Sequence, residues 1–225
     1  MSLPHHLPPI PLLYLITNRQ TFRRNPEAGD EDAWRLQIEA IRLAAAAGCQ
    51  LIQVREKDLS ARALTEFTRE AIAAARPCGA RVFVNDRLDV AIAAKADGVH
   101  LRVTSLTAAE VREVTRHKRP DNFLIGASAH SLAEAAEAQN FGADFIVCGP
   151  VYDTPSKREY GPPLGLEKLA EVCQAVKIPV LALGGITLTN FPEPLRHGAA
   201  GIAAIGLFTD PAQLQVTIST ILNFR

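Results

Sequence analysis

The chain has 225 residues, of which 48% are hydrophobic and 21% are charged, so it is long enough to bury a sizeable core. Basic and acidic residues number 24 each, and the resulting zero net charge removes the electrostatic case for nucleic acid or an anionic membrane as main partner. The start of the chain has no signal-peptide pattern, and no apolar run reaches membrane length. The four cysteines show no metal-ligand spacing, so we expect a cytoplasmic protein with reduced thiols.

Short apolar runs alternate with amphipathic segments along the first half of the chain. Residues 1–11 are proline-rich and are expected to form an extended segment, followed by one domain over residues 12–225. The apolar runs predict strands over 12–17, 51–55, 81–86 and 98–101. The amphipathic segments predict a helix over 31–47 after a polar loop (19–30), one capped by Ser60 and closed by residues 77–79, and one over 89–96.

The second half of the chain repeats this rhythm. Predicted strands cover 123–128, 144–150, 179–185 and 201–206. Predicted helices run from the cap Thr107 to about residue 118, from the cap Ser131 to residue 140, and over 165–176, 189–198 and 210–223. Pro192 and Pro194 are expected to break the helix over 189–198.

Eight strand–helix units in one domain predict the α/β class and a single (β/α)8 TIM barrel. The strands are nearly continuous apolar runs, as expected for a parallel sheet that is buried on both faces. A doubly wound open sheet is the alternative, but it favours fewer strands and a glycine-rich first turn. The first turn here, Thr17-Asn18-Arg19, has no GxGxxG pattern.

The second predicted strand ends in two cations, Arg55 and Lys57, within the stretch Gln53-Val54-Arg55-Glu56-Lys57-Asp58. Side chains two residues apart share one face of an extended strand, so these cations repel each other unless an anion lies between them. A phosphate or pyrophosphate suits such a site. The alternative is a pair of solvated charges, neutralised by Glu56 and Asp58.

Polar, cationic and glycine residues lie at the carboxyl ends of most predicted strands, where the active sites of barrels lie. They are Gln53, Arg55, Lys57, Asn85, Asp86, Arg87, His100, Ser128, His130, Thr154, Ser156, Lys157, Gly184, Gly185 and Gly206. Lys157 would join the first two cations around a diphosphate, and Asp86 would hold a divalent cation that bridges the phosphates. Bare backbone at the glycines would bind a second phosphate.

The motifs QVREKD, VNDRLDVA, ADGVHL, IGASAH, GADFIVCGPVYDTPSK, IPVLALGGI and GAAGIAAIGLF occur in order from about residue 12 to residue 208. Through this set of motifs, the chain resembles the thiamine phosphate synthase family and its relatives, the thiazole tautomerases. The resemblance implies a (β/α)8 barrel and small phosphorylated partners. A synthase joins an aminopyrimidine diphosphate to a thiazole phosphate and releases pyrophosphate, whereas a tautomerase aromatises a thiazole phosphate carboxylate. The chain could also form a homo-oligomer, which the sequence leaves open.

The resemblance also implies roles for individual residues. Those that would bind pyrophosphate are Arg55, Lys57, Asn85 and Lys157, with Asp86 on a magnesium cofactor. Those that would hold the aminopyrimidine are Gln53 and His100, with Ser128 against the leaving group. Those that would contact the thiazole phosphate are Thr154, Ser156, Gly184, Gly185, Ile205 and Gly206.

Three departures from the family pattern bear on the activity. After His100-Leu101 the synthases usually continue Gly-Gln-x-Asp, and this aspartate is the second magnesium ligand, but here Ser105 follows Arg102-Val103-Thr104. The last phosphate loop has Gly206 in place of a frequent serine, and the first strand ends in Thr17-Asn18 in place of Thr-Asp. The lost aspartate favours a tautomerase, whereas the retained cations favour a synthase.

Two further expectations remain open at this stage. His130 suits a tautomerase's proton shuttle or a structural role equally. The long loop over residues 152–163 is predicted to close over bound phosphate, with a fixed loop as the alternative. We expect a magnesium-dependent synthase, with a tautomerase or a non-catalytic thiazole phosphate or thiamine phosphate binding protein as alternatives.

Overall fold

The chain forms a closed barrel of eight parallel strands, in which each strand pairs with its neighbours in sequence and β1 pairs with β8. The computed structural model describes residues 7, 10–23, 30–116, 122–154 and 161–224. The strands are β1 Leu12–Ile16, β2 Leu51–Val54, β3 Arg81–Asn85, β4 Gly98–Leu101, β5 Leu124–Ala129, β6 Phe145–Cys148, β7 Val180–Leu183 and β8 Gly201–Ala204. The predicted TIM barrel is therefore confirmed, and the open doubly wound sheet is excluded.

A helix follows each strand and covers the outside of the barrel. The helices are α1 Asp30–Ala46, α2 Ala61–Ala75, α3 Leu88–Ala94, α4 Ala108–Thr115, α5 Leu132–Asn140, α6 Gly165–Ala175, α7 Pro192–Arg196 and α8 Leu214–Leu222. The predicted caps of α2, α4 and α5 are confirmed, because Ser60, Thr107 and Ser131 each accept a hydrogen bond from a backbone N–H in the first helical turn.

Alternation along the strands divides the core into an inner and an outer layer. The inner layer is a separate apolar cluster built around Tyr14, Phe83 and Phe145. These three rings pack edge to face with centroids 5.3–5.6 Å apart, an arrangement that aromatic quadrupoles favour. They fill the barrel interior, so the barrel is a solid support and any ligand site has to lie at an end.

Several element boundaries differ from those predicted. The strands end one or two residues earlier at six of the eight carboxyl ends, since the polar residues and glycines there already belong to loops. Part of the loop expected over 19–30 is a 3-10 helix, Arg19–Phe22. Helix α8 begins at Leu214, later than the predicted residue 210.

The prediction that two prolines break the seventh helix was wrong. Pro192 and Pro194 both lie in the first turn of α7, and Pro192 begins it. The first backbone N–H groups of a helix have no partner within the helix, so proline costs little there and its fixed φ favours helix initiation. The helix is shorter than predicted because it begins at Pro192 and not at residue 189.

The remaining predictions for the whole chain have mixed outcomes. The extended segment over residues 1–11 falls mostly outside the described residues and stays a prediction, although Leu7 packs against the inner apolar cluster. All four cysteines are free, and only Cys78 is exposed. None of the helices in the described part has the length and apolar character needed to cross a bilayer.

The inner cluster makes a stability prediction. Phe145→Ala should lower the free energy of unfolding by about 3–5 kcal/mol, because the closed barrel cannot collapse onto the space that the ring leaves. Phe141→Ala is the matched control, since Phe141 is 40% exposed at the end of α5 whereas Phe145 is fully buried. Urea unfolding of the two variants measures both losses, and equal losses would contradict the role of the inner cluster.

Candidate active site

The carboxyl ends of the strands place most of the predicted site residues on one rim. Arg55 directly follows β2, Asn85 ends β3, and His100 and Ser128 lie in β4 and β5. The pairing register sets Asn85 beside His100. Alternation turns Gln53, Arg55, His100 and Ser128 toward the barrel axis, in line with the inner cluster below them.

The acidic neighbours of the two cations on β2 are paired with a third cation, Arg19. Its Nη1 lies 3.2 Å from Glu56 Oε2, and its two terminal nitrogens lie 2.6 and 2.8 Å from the Asp58 carboxylate. The Arg19 backbone N–H also donates to Glu56 at 3.1–3.2 Å. Arg19 is 2% exposed and Glu56 is 4% exposed, so this half of the network is a buried support for the loop, whereas Asp58 lies at the surface. Both acids beside the two cations therefore bind Arg19, although the charge of Glu56 also acts on Arg55.

The backbone of Arg55 is fixed by a hydrogen bond, and its side chain is half-buried. Its N–H donates to Thr17 Oγ1 at 2.9 Å, which ties the end of β2 to the end of β1. Burial, opposed by the charge of Glu56 and assisted by that of Arg102, lowers the pKa of the Arg55 guanidinium. Partial desolvation strengthens the attraction of this cation for an anion. Lys57, two residues further along the chain, is exposed.

A polar pair, the buried His100 and the half-buried Ser128, lies near Arg55. His100 Nε2 is 3.0 Å from Ser128 Oγ, and His100 is 2% exposed. Burial, with a smaller contribution from the charge of Arg55, lowers the pKa of His100 to about 3. The imidazole is therefore neutral at physiological pH, and its buried Nδ1 has no hydrogen-bond partner among the described residues. Such a ring can recognise a polar group on a ligand without adding charge.

The barrel axis below His100 holds a second polar pair. Gln53 Nε2 donates to Tyr14 Oη at 3.2 Å, and burial raises the pKa of Tyr14, although the bond from Gln53 opposes that shift. The rings of Tyr14 and His100 are 5.7 Å apart. Gln53 and His100, both predicted to hold the pyrimidine, thus share one polar floor above the aromatic cluster.

The predicted metal position at the end of β3 is occupied by protein contacts. Asp86 pairs with Arg102, whose Nη2 lies 2.5 Å from Asp86 Oδ2, and it accepts a short hydrogen bond from the Ser105 hydroxyl. Within the described residues, no group of three or more His, Cys, Asp or Glu side chains is arranged to hold a metal ion. One carboxylate that is already bound to a guanidinium does not fit a resident divalent cation, which prefers carboxylate and water oxygens. The assignment of Asp86 and Ser105 as ligands stays a prediction that this geometry does not favour.

The glycines of the two predicted phosphate loops differ in their surroundings. Gly184 and Gly185 have φ values of +99° and +66°, and a Cβ on either would lie 2.6 Å from Pro150 or Tyr152. They are required for the backbone turn against the loop after β6. Gly206 has open space around it and follows Ile205 on a 3-10 turn at the same rim. Bare backbone is therefore available at this end of β7 and β8.

The other predicted residues have different outcomes. Thr154 is half-buried, and its hydroxyl donates to the Tyr152 carbonyl at 3.4 Å. His130 is exposed, and its Nδ1 lies 3.1 Å from Glu134 Oε2, so it is held at the start of α5. Ser156 and Lys157 lie outside the described residues, as does the middle of the predicted lid, and these assignments stay predictions.

Sequence reasoning missed Arg19 and Tyr14. Arg19 was assigned to a polar loop, although it is the first charged residue after a strand's carboxyl end, where barrel sites form. Tyr14 is the one residue with a hydroxyl in Leu-Leu-Tyr-Leu-Ile, at an alternating position that the inner face requires. Both signals were readable, but the partners Glu56, Asp58 and Gln53 depend on tertiary structure.

The Arg19 network makes a prediction about the buried carboxylate that it serves. Arg19→Met should lower the free energy of unfolding by about 3–5 kcal/mol, because Glu56 would remain buried without its cation. Adding Glu56→Gln should recover part of this loss, since a neutral amide costs less to bury. Arg35→Met, at a side chain 78% exposed, is the control. Denaturant unfolding that shows a small loss, or no recovery, would contradict the network's role.

His100 makes a prediction about pH. Its pKa is about 3 in the folded chain against an ordinary value of 6.5, so the unfolded chain takes up the proton first. The contribution to stability is complete above pH 6.5 and is lost as pH falls toward 3, at about 1.4 kcal/mol per pH unit. His100→Gln should flatten the fall in unfolding free energy between pH 6.5 and 4, whereas His130→Gln should not. Parallel profiles for wild type and His100→Gln would refute this.

Comparison with known proteins identifies the family to which this chain belongs. The family model for thiamine monophosphate synthase matches residues 13–208. The thiamine-phosphate synthase of Methanoculleus marisnigri is 43% identical over 76% of this chain and 79% of its own, and that of Roseiflexus sp. RS-1 is 36% identical over 86% and 76%. The structure of thiamine phosphate pyrophosphorylase from Pyrococcus furiosus superposes with a TM-score of 0.76 and 33% identity, covering 94% of this chain and 97% of that one. The chain therefore belongs to the thiamine monophosphate synthase family.

Proposed function

We propose that the chain is a thiamine-phosphate synthase that couples hydroxymethylpyrimidine diphosphate to thiazole phosphate. Membership of the family over residues 13–208 supports a transferase of thiamine biosynthesis. The observation that carries the specific proposal is the rim itself, where the half-buried cation Arg55 lies beside the neutral His100–Ser128 pair. A cation beside a neutral polar pocket suits a substrate with an anionic diphosphate and an uncharged heterocycle.

The reaction exchanges one bond for another at the pyrimidine's exocyclic methylene carbon. The C–O bond to the diphosphate breaks, and the leaving pyrophosphate keeps the electron pair. The thiazole nitrogen then donates its lone pair to the same carbon and forms the C–N bond of thiamine phosphate. The protein has to stabilise a departing anion and a transient pyrimidine cation, and to keep the two reactants aligned.

Each part of the rim has a role in this scheme. Arg55 and Lys57, with Lys157 and the Asn85 amide, would bind the pyrophosphate and stabilise its negative charge. Gln53 and His100 would hold the aminopyrimidine, with Ser128 against the leaving group. Because His100 is neutral, it adds no repulsion to the pyrimidine cation that develops beside it.

The thiazole phosphate would bind on the opposite side of the rim. Backbone at Gly184, Gly185 and the Ile205–Gly206 turn would bind its phosphate, with Thr154 and Ser156 along the ring. This arrangement places the two anionic groups at different strand ends and leaves the reacting atoms between them. Backbone N–H groups suit a phosphate monoester because they need no extra charge in a protein of zero net charge.

The family uses a metal, and we propose magnesium for this chain. It would enter as the counterion of the diphosphate substrate, because Asp86 already pairs with Arg102, and no step above depends on it. We also propose a cytoplasmic location, because the predominantly buried thiols fit a reducing compartment. The substrates are small phosphorylated heterocycles, with nucleic acid and membrane absent as partners.

A tautomerase is the second candidate, and two contacts favour it. Asp86 is bound by Arg102, which a metal-using synthase would not require. His130 has its Nδ1 on Glu134, so a carboxylate orients the ring as in proton-transferring histidines. The exposed position of this pair, outside the rim cluster, makes it the weaker candidate.

The test is direct formation of thiamine phosphate from the two substrates. We expect thiamine phosphate and pyrophosphate in equal amounts, and we expect Arg55→Gln to lower kcat/KM by about a hundredfold through lost stabilisation of the leaving group. Arg42→Gln is the control, since Arg42 is half exposed and pairs with Glu39 on α1. Chromatography of thiamine phosphate and a coupled pyrophosphate assay measure both products.

Three other outcomes would contradict the proposal. Aromatisation of thiazole phosphate carboxylate without coupling, abolished by His130→Ala, would establish the tautomerase. Saturable binding of thiazole phosphate without any turnover would establish a binding protein. Coupling that is unchanged in Arg55→Gln would leave the activity in place and reject the assigned rim.

A further inference from the structure

We infer that Arg102 takes the place of the metal, so that the rim binds pyrophosphate through a guanidinium that is paired with Asp86, while Ser105 holds Asp86 and the Arg102 backbone. This rests on the proposed function for the identity of the anion. The observation behind it is the disagreement at the end of β3, where the family pattern predicts two metal-binding carboxylates. The chain has one carboxylate, one serine and an arginine in contact with each other.

The hydrogen bonds assign Ser105 the opposite chemistry from a metal ligand. Its hydroxyl accepts a hydrogen bond from the Arg102 backbone N–H at 2.9 Å and donates one to Asp86. Its own backbone N–H donates to the Arg102 carbonyl at 3.0 Å, which closes the turn from the other side. An aspartate at this position could not donate to Asp86, and it would repel that carboxylate unless a cation lay between them.

The exchange preserves the charge of the site. A divalent cation with two carboxylates sums to zero, and so does one guanidinium with one carboxylate. The loss of the expected aspartate and the presence of Arg102 therefore belong to the same change. What differs is that the cation is now covalently part of the chain and cannot dissociate.

Arg102 is placed to contact an anion as well as Asp86. Its side chain is 57% exposed, and the ion pair with Asp86 involves one terminal nitrogen, so other N–H donors of its five remain for a ligand. Its charge acts on Arg55, after burial, in lowering the pKa of that guanidinium. Two like charges at strand ends of the same rim suit an anion that lies between them.

The surrounding surface is concave. Arg102, Ser105 and Ser128 line one small cavity, of about 90 Å³, between the loop after β4 and helix α5. Glu134, Glu137 and apolar side chains line its α5 side, so an anion would bind at the Arg102 end. Ser128 also contacts His100, so this cavity adjoins the polar pair of the proposed pyrimidine site. Asp86 itself has φ +64°, a conformation that non-glycine residues rarely adopt, and its backbone N–H donates to the His100 carbonyl at 2.8 Å. The backbone thus fixes the residue that positions Arg102.

Binding of inorganic pyrophosphate tests the inference without any turnover. Calorimetry measures the affinity of wild type for pyrophosphate in excess EDTA and in magnesium. We expect the two affinities to agree within about threefold, since a cation of the chain itself binds the anion. R102Q should weaken this binding by about ten- to a hundredfold, as expected for a lost charged hydrogen bond. R196Q is the matched control, because Arg196 is 60% exposed, pairs with Glu193 at 2.5 Å and ends α7 at the far end of the barrel.

A second readout uses the metal alone. Mn²⁺ binding followed by electron paramagnetic resonance should show no tight site in wild type. R102Q/S105D should gain one, because it offers two carboxylates without a competing guanidinium, and its pyrophosphate binding should become metal-dependent. Melting temperatures of the variants confirm that they are folded.

The inference is overturned if wild type binds pyrophosphate only with magnesium, if it does not bind pyrophosphate at all, or if R102Q binds as tightly as wild type. A tight Mn²⁺ site in wild type would overturn it as well. Failure of the coupling assay alone leaves it standing, since pyrophosphate binding in EDTA does not require the thiazole substrate. Metal-independent pyrophosphate binding and absence of coupling are thus separate results.

Discussion

Closure of the parallel sheet is the constraint on which the rest of this protein depends. Once β1 pairs with β8, every strand is hydrogen-bonded on both edges, and all eight carboxyl ends meet at one rim. Residues that are far apart in sequence, such as Arg55 and Ser128, then share a site without any dedicated contact between their segments. The inner aromatic cluster fills the interior, so the rim is a rigid floor on which small loop changes alter chemistry.

A rim that binds anions has to keep its cations available although the chain has no net charge. Near Arg55, two acidic side chains bind another cation. Arg19 takes both Glu56 and Asp58, and the hydrogen bonds from Arg19 lower the pKa of Asp58 despite partial burial. The buried His100 stays neutral, which prevents a further like charge beside Arg55. The positive field at the rim is thus a matter of local pairing, which composition cannot reveal.

The fold was predictable because it depends on a repeated pattern. Eight apolar runs separated by amphipathic segments specify a parallel barrel, and strand ends then indicate the site with no tertiary information. The element ends were less predictable, since an apolar or small residue such as Pro150 reads as strand although it lies in a loop. The two prolines of α7 show the same limit, because their effect depends on which turn of the helix they occupy.

The site was predictable in its residue types and less so in its contacts. Arg55, His100 and Ser128 followed from strand ends, but the His100–Ser128 bond and the Arg19 network need the register between strands and the path of the chain after β1. Ser105 shows why the difference matters. Sequence comparison presents it as a lost metal ligand, whereas the structure presents it as a hydrogen-bond donor to Asp86.

Substitutions in the loops at the rim have little effect on the stability of a barrel. Arg102 and Ser105 lie after the last paired residue of β4, Leu101, so the register between β4 and β5 does not depend on them. Arg102 is 57% exposed and Asp86 is 24% exposed, and ion pairs that are open to solvent on one side contribute little to stability. The same rim position can therefore carry a carboxylate or a hydroxyl while the barrel stays intact. In such a fold, the choice between a bound metal and a fixed guanidinium is decided by ligand chemistry at the rim and is nearly independent of the energetics of the core.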